Sequence, residues 1–110
     1  MSSKTINIGL IQMSSSSEVE ANLQKAEALI RASAHDGADM VVLPETFALM
    51  EKYNGQKLGF VEKHKEGPIQ DWMRRVAQEN RVIVVGGTIA IESGVEERPF
   101  ARCYVYDAQG

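Results

Sequence analysis

Met40-Val41-Val42-Leu43 is a run of four apolar residues, closed by Pro44 and followed by Glu45. An apolar run without alternation, preceded by an amphipathic helix, predicts a central parallel strand covered on both faces. Pro44 ends it, because proline has no N–H to give to a sheet ladder. Glu45 is thereby placed at the carboxyl end of the strand, the edge at which open α/β sheets bind their ligands.

Upstream, Thr5–Met13 alternates Ile6, Ile8 and Leu10 with Asn7, Gly9 and Ile11, a period-two strand pattern. Ser14–Ser17 reads as a loop, with Ser17 as N-cap in capping-box spacing to Glu20. The helix that follows sets Val19, Leu23, Ala26, Ile30 and Ala34 on one stripe, and Gly37 stops it. Downstream, Thr46–Glu66 is a long polar connection with a helical turn expected near Ala48–Lys52. Gly67-Pro68 opens a second helix, whose apolar face is Ile69, Trp72, Met73, Val76 and Ala77 and which ends near Asn80. A strand follows from Val82 to about Ile91, then a solvated turn over Glu92–Pro99. The last strand, Phe100–Asp107, has Ala101, Cys103 and Val105 on one face and Arg102, Tyr104 and Tyr106 on the other. The order β-α-β-α-β-β predicts an α/β sheet with helices packed on it, in one domain over residues 1–110.

Composition narrows the functional classes. The chain of 110 residues is 44% hydrophobic and 25% charged with net charge −3, an ordinary globular balance with no basic footprint for nucleic acid. No apolar run reaches the ~18 residues of a membrane span, and Met1-Ser2-Ser3-Lys4 has no apolar signal core. A single cysteine, Cys103, cannot form an internal disulfide, so a cytoplasmic setting is expected. Two histidines and one cysteine are too few soft ligands for a structural zinc site. Neither a metal nor a cofactor is expected.

Glu45 is the candidate general base. A carboxylate at the lip of a buried sheet is partly desolvated, which strengthens it as a proton acceptor. A lone Pro-Glu is also what an exposed loop looks like, so the surrounding pattern carries the weight. Asn22 and Ala26, then Gly37-Ala38-Asp39 leading into the strand and Pro44-Glu45, resemble the opening of the nitrilase (carbon–nitrogen hydrolase) superfamily. Gly67-Pro68, Val84-Val85-Gly86-Gly87-Thr88 and Asp107-Ala108-Gln109-Gly110 continue the resemblance in order, over the whole chain.

The resemblance implies an α-β-β-α sandwich, of which this chain is the N-terminal half. It also implies hydrolysis of a non-peptide carbon–nitrogen bond, the amide of a small carboxylic acid, through a Glu-Lys-Cys triad. Glu45 matches the family glutamate. The lysine that stabilises the oxyanion and the cysteine nucleophile have no counterpart up to Gly110, so the chain by itself is expected to be inactive. A homo-oligomer is implied as well. Pro44–Met50, and Arg102 in Phe100-Ala101-Arg102, are similar to a bacterial amidase branch near the deaminated-glutathione amidases.

Other residues weigh toward packing. Phe47 suits a substrate-binding wall and suits a core anchor equally. Gly86-Gly87 lacks the Gly-x-Gly-x-x-Gly of a phosphate loop and predicts close backbone packing. Lys63-His64-Lys65 reads as a solvated run, His35 as a surface residue, and Trp72-Met73 as core. Cys103 reads as a small buried hydrophobe and not a nucleophile. The alternative to an enzyme is a truncated, catalytically inactive relative that acts by association.

Overall fold

In the computed structural model, which describes residues 5–110, the run at 40–43 becomes the second of four strands. The elements are β1 (Ile8–Leu10), α1 (Val19–His35), β2 (Met40–Val42), a short 3-10 helix (Gln56–Phe60), α2 (Pro68–Asn80), β3 (Ile83–Ile91) and β4 (Phe100–Tyr106). They form one sheet in the order β1-β2-β3-β4, parallel between the first three strands and antiparallel between β3 and β4. The expectation for Met1–Lys4 lies outside the described residues.

Both helices pack on the sheet and on each other. The core between them joins Val41, Val84, Ile89 and Ile91 of the sheet to Ala26 and Ile30 of α1 and to Met73, Val76 and Ala77 of α2. Burying such side chains is the dominant favourable term, about 1.5–3 kcal/mol for each large one. β2 is central as expected, but one face is covered, not two: Val41 is fully buried while Met40 and Val42 are half-exposed. Leu10, Val42, Val85 and Val105 pair across all four strands in one row on the face away from the helices. Leu10 is 75% exposed and Val105 62%. The alternation in the first strand is therefore inverted in burial, with Ile6 and Ile8 exposed and Ile11 buried.

Two local expectations are corrected. The N-cap of α1 is Glu18, without a side-chain cap bond, and the serine that engages the helix start is Ser16, whose Oγ accepts from the Glu18 N–H at 3.2 Å. Asn22 explains the shift. Fully buried on the apolar stripe, it accepts the Ser16 N–H at 2.8 Å and so fixes the loop one residue earlier. The helical turn expected near Ala48–Lys52 forms instead at Gln56–Phe60, where Gly55 at φ 87° opens it.

Glu27 pins α1 to α2. Its carboxylate accepts from Arg75 at 2.8 Å, from Arg31 at 3.0 Å and from the Trp72 indole N–H at 3.2 Å. The Arg75 hydrogen bond, then its charge, the indole and Arg31, outweigh burial and hold the Glu27 carboxyl below the usual glutamate range. Because the folded-state value is lowered, this stabilisation is present above the ordinary glutamate range and is lost as pH falls through the lowered value. Glu27→Gln is expected to cost about 1 kcal/mol near neutral pH. Thermal unfolding should show the gap between variant and wild type closing as pH falls through the lowered value. A gap that stays constant with pH would show that ionised Glu27 does not hold the helices.

Candidate active site

Glu45 stands where the strand ends and the chain turns. Leu43 N–H donates to the Val85 carbonyl at 2.9 Å, which keeps β2 against β3 up to the residue before Pro44. Past the turn, Phe47 N–H returns to the Pro44 carbonyl at 3.2 Å. Phe47 is fully buried and stacks on Trp72 with ring centroids 5.9 Å apart. The Ala48 carbonyl accepts from Asn22 Nδ2 at 2.8 Å, a bond that ties the segment after Glu45 to α1. Asn22 Nδ2 also donates to the Ser16 carbonyl at 2.8 Å. A polar residue inside an apolar helix stripe was the sequence signal for this anchor.

Glu45 opens onto a cleft of about 330 Å³. The lining mixes the apolar Leu49, Phe60, Ile69, Ile89 and Phe100 with Glu45, Thr46, Glu51 and Lys57, an apolar pocket with a few convergent polar groups. Lys57 is the one cation among the described lining residues, and its main-chain N–H donates to the Glu51 carboxylate at 3.0 Å. Phe47 is not a lining residue; its ring supports the turn from within the core. Glu45 itself is exposed, where a position at the lip of a buried sheet predicted partial desolvation. The residues buried at this lip are its neighbours Leu43 and Phe47.

Glu62, which sequence reasoning passed over in a polar connection, is the best-buried carboxylate near the cleft, with 6% of its surface exposed. It accepts from Ile69 N–H at 2.6 Å, Gln70 N–H at 3.1 Å and Gln70 Nε2 at 3.1 Å. Pro68 lacks an N–H and Asp71 N–H reaches the Gly67 carbonyl at 2.8 Å, so the amides of the first turn of α2 are accounted for. A carboxylate at this end also opposes the helix dipole. Gly67 permits the arrangement: at φ 153° a Cβ there would lie 2.6 Å from Glu62 Cγ. Glu62 N–H donates to the Ala90 carbonyl at 3.0 Å, so one residue fixes both Ile69 and Ala90 on the cleft wall.

Cys103 is exposed, not buried, because it shares the uncovered sheet face with Val105. Its Sγ lies 2.7 Å from the Gly86 carbonyl, and it is not among the residues lining the cleft. Cys103→Ser is expected to leave turnover of the full-length protein within about twofold; a loss comparable with that of a nucleophile knockout would overturn the reading of Cys103 as a bystander. His64, solvent-exposed in its lysine pair, stacks on Tyr104 and lies 2.7 Å from its hydroxyl. Among the described residues, no three His, Cys, Asp or Glu side chains gather as a metal site, and no helix is long and apolar enough to cross a membrane.

Comparison with known proteins places this geometry. A family model described as carbon-nitrogen hydrolase matches residues 7–110. The chain is 29% identical to the mouse omega-amidase NIT2 over 106 residues, covering 96% of this chain and 37% of that protein. It is 34% identical to a nitrilase of Pyrococcus abyssi over 73 residues, 64% of this chain and 28% of that protein. The chain thus spans about a third of the length of the curated relatives it matches. The crystal structure of the C. elegans NitFhit protein superposes with a TM-score of 0.80 at 18% identity, over 96% of this chain and 26% of that one. The α/β arrangement is that of the N-terminal part of the nitrilase fold. Matched over all but its first six residues, the chain belongs to the carbon–nitrogen hydrolase family.

Proposed function

We propose that this chain forms the N-terminal part of a thiol-dependent amide hydrolase, in which Glu45 is the general base. The observation that carries the reading is the placement of Glu45 in the cleft at the carboxyl end of the central strand, within the strand-Pro-Glu element that resembles the family's. In the proposed reaction Glu45 takes the proton of a cysteine thiol, and the thiolate attacks the amide carbonyl carbon. A lysine ammonium offsets the charge developing on oxygen. The C–N bond breaks as protonated Glu45 returns the proton to the departing nitrogen, which leaves as ammonia, and water then hydrolyses the thioester to the free acid with release of the thiol. Cysteine and lysine are contributed from outside these residues. The substrate is a small-molecule amide, and the setting is cytoplasmic. Pro44–Met50 and Arg102 favour an amidase of the deaminated-glutathione type, and the mouse omega-amidase likeness agrees with an amide substrate.

The test is ammonia release from short-chain amides by the full-length protein, with mass spectrometry of the trapped acyl-enzyme. Turnover that stops on thiol alkylation is expected; turnover that survives alkylation would overturn the thiol mechanism. Residues 1–110 alone are expected to release no ammonia, since members of a triad act as a unit. The uncovered row Leu10–Val42–Val85–Val105 favours one second reading, a module that acts by association. A full-length protein that self-associates yet releases no ammonia from amides or nitriles would select it.

A further inference from the structure

We propose that Gly87 is a positioning residue for Glu45: its missing side chain lets β3 press on the Pro44–Glu45 backbone and so fixes where the carboxylate stands. The inference rests on the reading of Glu45 as general base.

β3 and β4 pair with a register shift between Val85 and Thr88, so Gly86-Gly87 occupies a bulge in the strand next to the Glu45 turn. Bulges re-aim the chain beside functional sites. Neither glycine has positive φ, so what the position requires of Gly87 is space and not an unusual dihedral. A Cβ on Gly87 would lie 2.8 Å from the Pro44 carbonyl carbon and 2.9 Å from Glu45 Cα, and would also collide with the Pro44 oxygen. All three are backbone atoms and cannot swing aside. The contact is bracketed by Leu43 N–H to the Val85 carbonyl at 2.9 Å and by Thr88 Oγ1, which donates to the Glu45 carbonyl at 3.5 Å.

Gly86 faces a different neighbour. A Cβ there would lie 2.5 Å from Met73 Sδ, a flexible side chain of α2, and 3.3 Å from the Tyr104 carbonyl. The two adjacent glycines therefore separate packing from positioning. A methyl at 86 disturbs the core, whereas a methyl at 87 displaces the base.

The experiment compares Gly87→Ala, Gly86→Ala and Glu45→Gln in the full-length protein, by kcat, KM and Tm. A displacement near 1 Å costs about 10²-fold in rate, so Gly87→Ala is expected to lower kcat about 10²-fold with KM changed less than about threefold. Gly86→Ala should lower Tm at least as much as Gly87→Ala does and keep kcat within about threefold. Equal kcat losses in both glycine variants, or full kcat in Gly87→Ala, would overturn the proposal. Should Gly87→Ala fail to fold, Thr88→Val takes its place: kcat lowered about threefold or more at unchanged Tm supports it, and unchanged kcat overturns it. Full turnover in Glu45→Gln would remove the general-base reading and this inference with it. A dead Glu45→Gln beside a fully active Gly87→Ala would remove the inference alone.

Discussion

Glu45→Gln is expected to lower turnover by about 10²-fold or more in the full-length protein while leaving its melting temperature unchanged within about 2 °C. The amide matches the carboxylate in size and cannot take a proton from a thiol. The fold has little stake in the carboxylate: Glu45 is exposed, and among the described residues its hydrogen bond is made by the main-chain oxygen, to Thr88. The loss should fall on kcat, since the cleft walls of Leu49, Ile69 and Ile89 remain to bind substrate. Glu45→Asp should fall between the two, because it keeps the base and withdraws it by one methylene. Steady-state kinetics with an authentic amide decides the matter. Near wild-type kcat in Glu45→Gln would leave the residue as an exposed loop acid.

Glu62→Ala is expected to remove about 3–5 kcal/mol of stability, the largest effect of any single substitution considered. The carboxylate answers the two N–H groups that start α2 and the side chain of Gln70, which is itself fully buried. Gln70 in turn donates to the Lys63 carbonyl at 2.6 Å and accepts from Lys65 N–H at 2.8 Å, so the turn before the helix hangs on the same pair. Truncation would take the acceptor from the Ile69 and Gln70 N–H groups and one partner from the buried Gln70 side chain. Glu62→Gln keeps one acceptor oxygen and should cost about 1–2 kcal/mol. Urea unfolding of the full-length protein measures both. A Glu62→Ala variant within about 1 kcal/mol of wild type would show that water replaces the carboxylate.

What was legible in the sequence was local. Period and punctuation alone placed the run at Met40–Leu43, its stop at Pro44, the apolar face of α2 and the position of Glu45 at a strand end. What was not legible depends on partners far along the chain. Glu62 looks like one more acid in a polar connection until Ile69 and Gln70 fold back on it. Phe47 next to Glu45 suited a pocket wall, and only the ring of Trp72 shows where it packs. Burial of the sheet was misjudged for the same reason: Leu10, Val105 and Cys103 carry the composition of an interior face, but composition does not say which layer covers it.

That uncovered face has a calorimetric consequence. The heat-capacity change of unfolding grows with the apolar surface newly wetted, and a typical chain of this length would show about 1.3–1.7 kcal/mol/K. In residues 1–110 taken alone, the row Leu10–Val42–Val85–Val105 already contributes wetted apolar surface before unfolding begins. The increment must then fall short of the length-based value. A smaller increment flattens the dependence of stability on temperature, so the isolated chain would lose less of its stability on cooling than a fully covered domain of equal size.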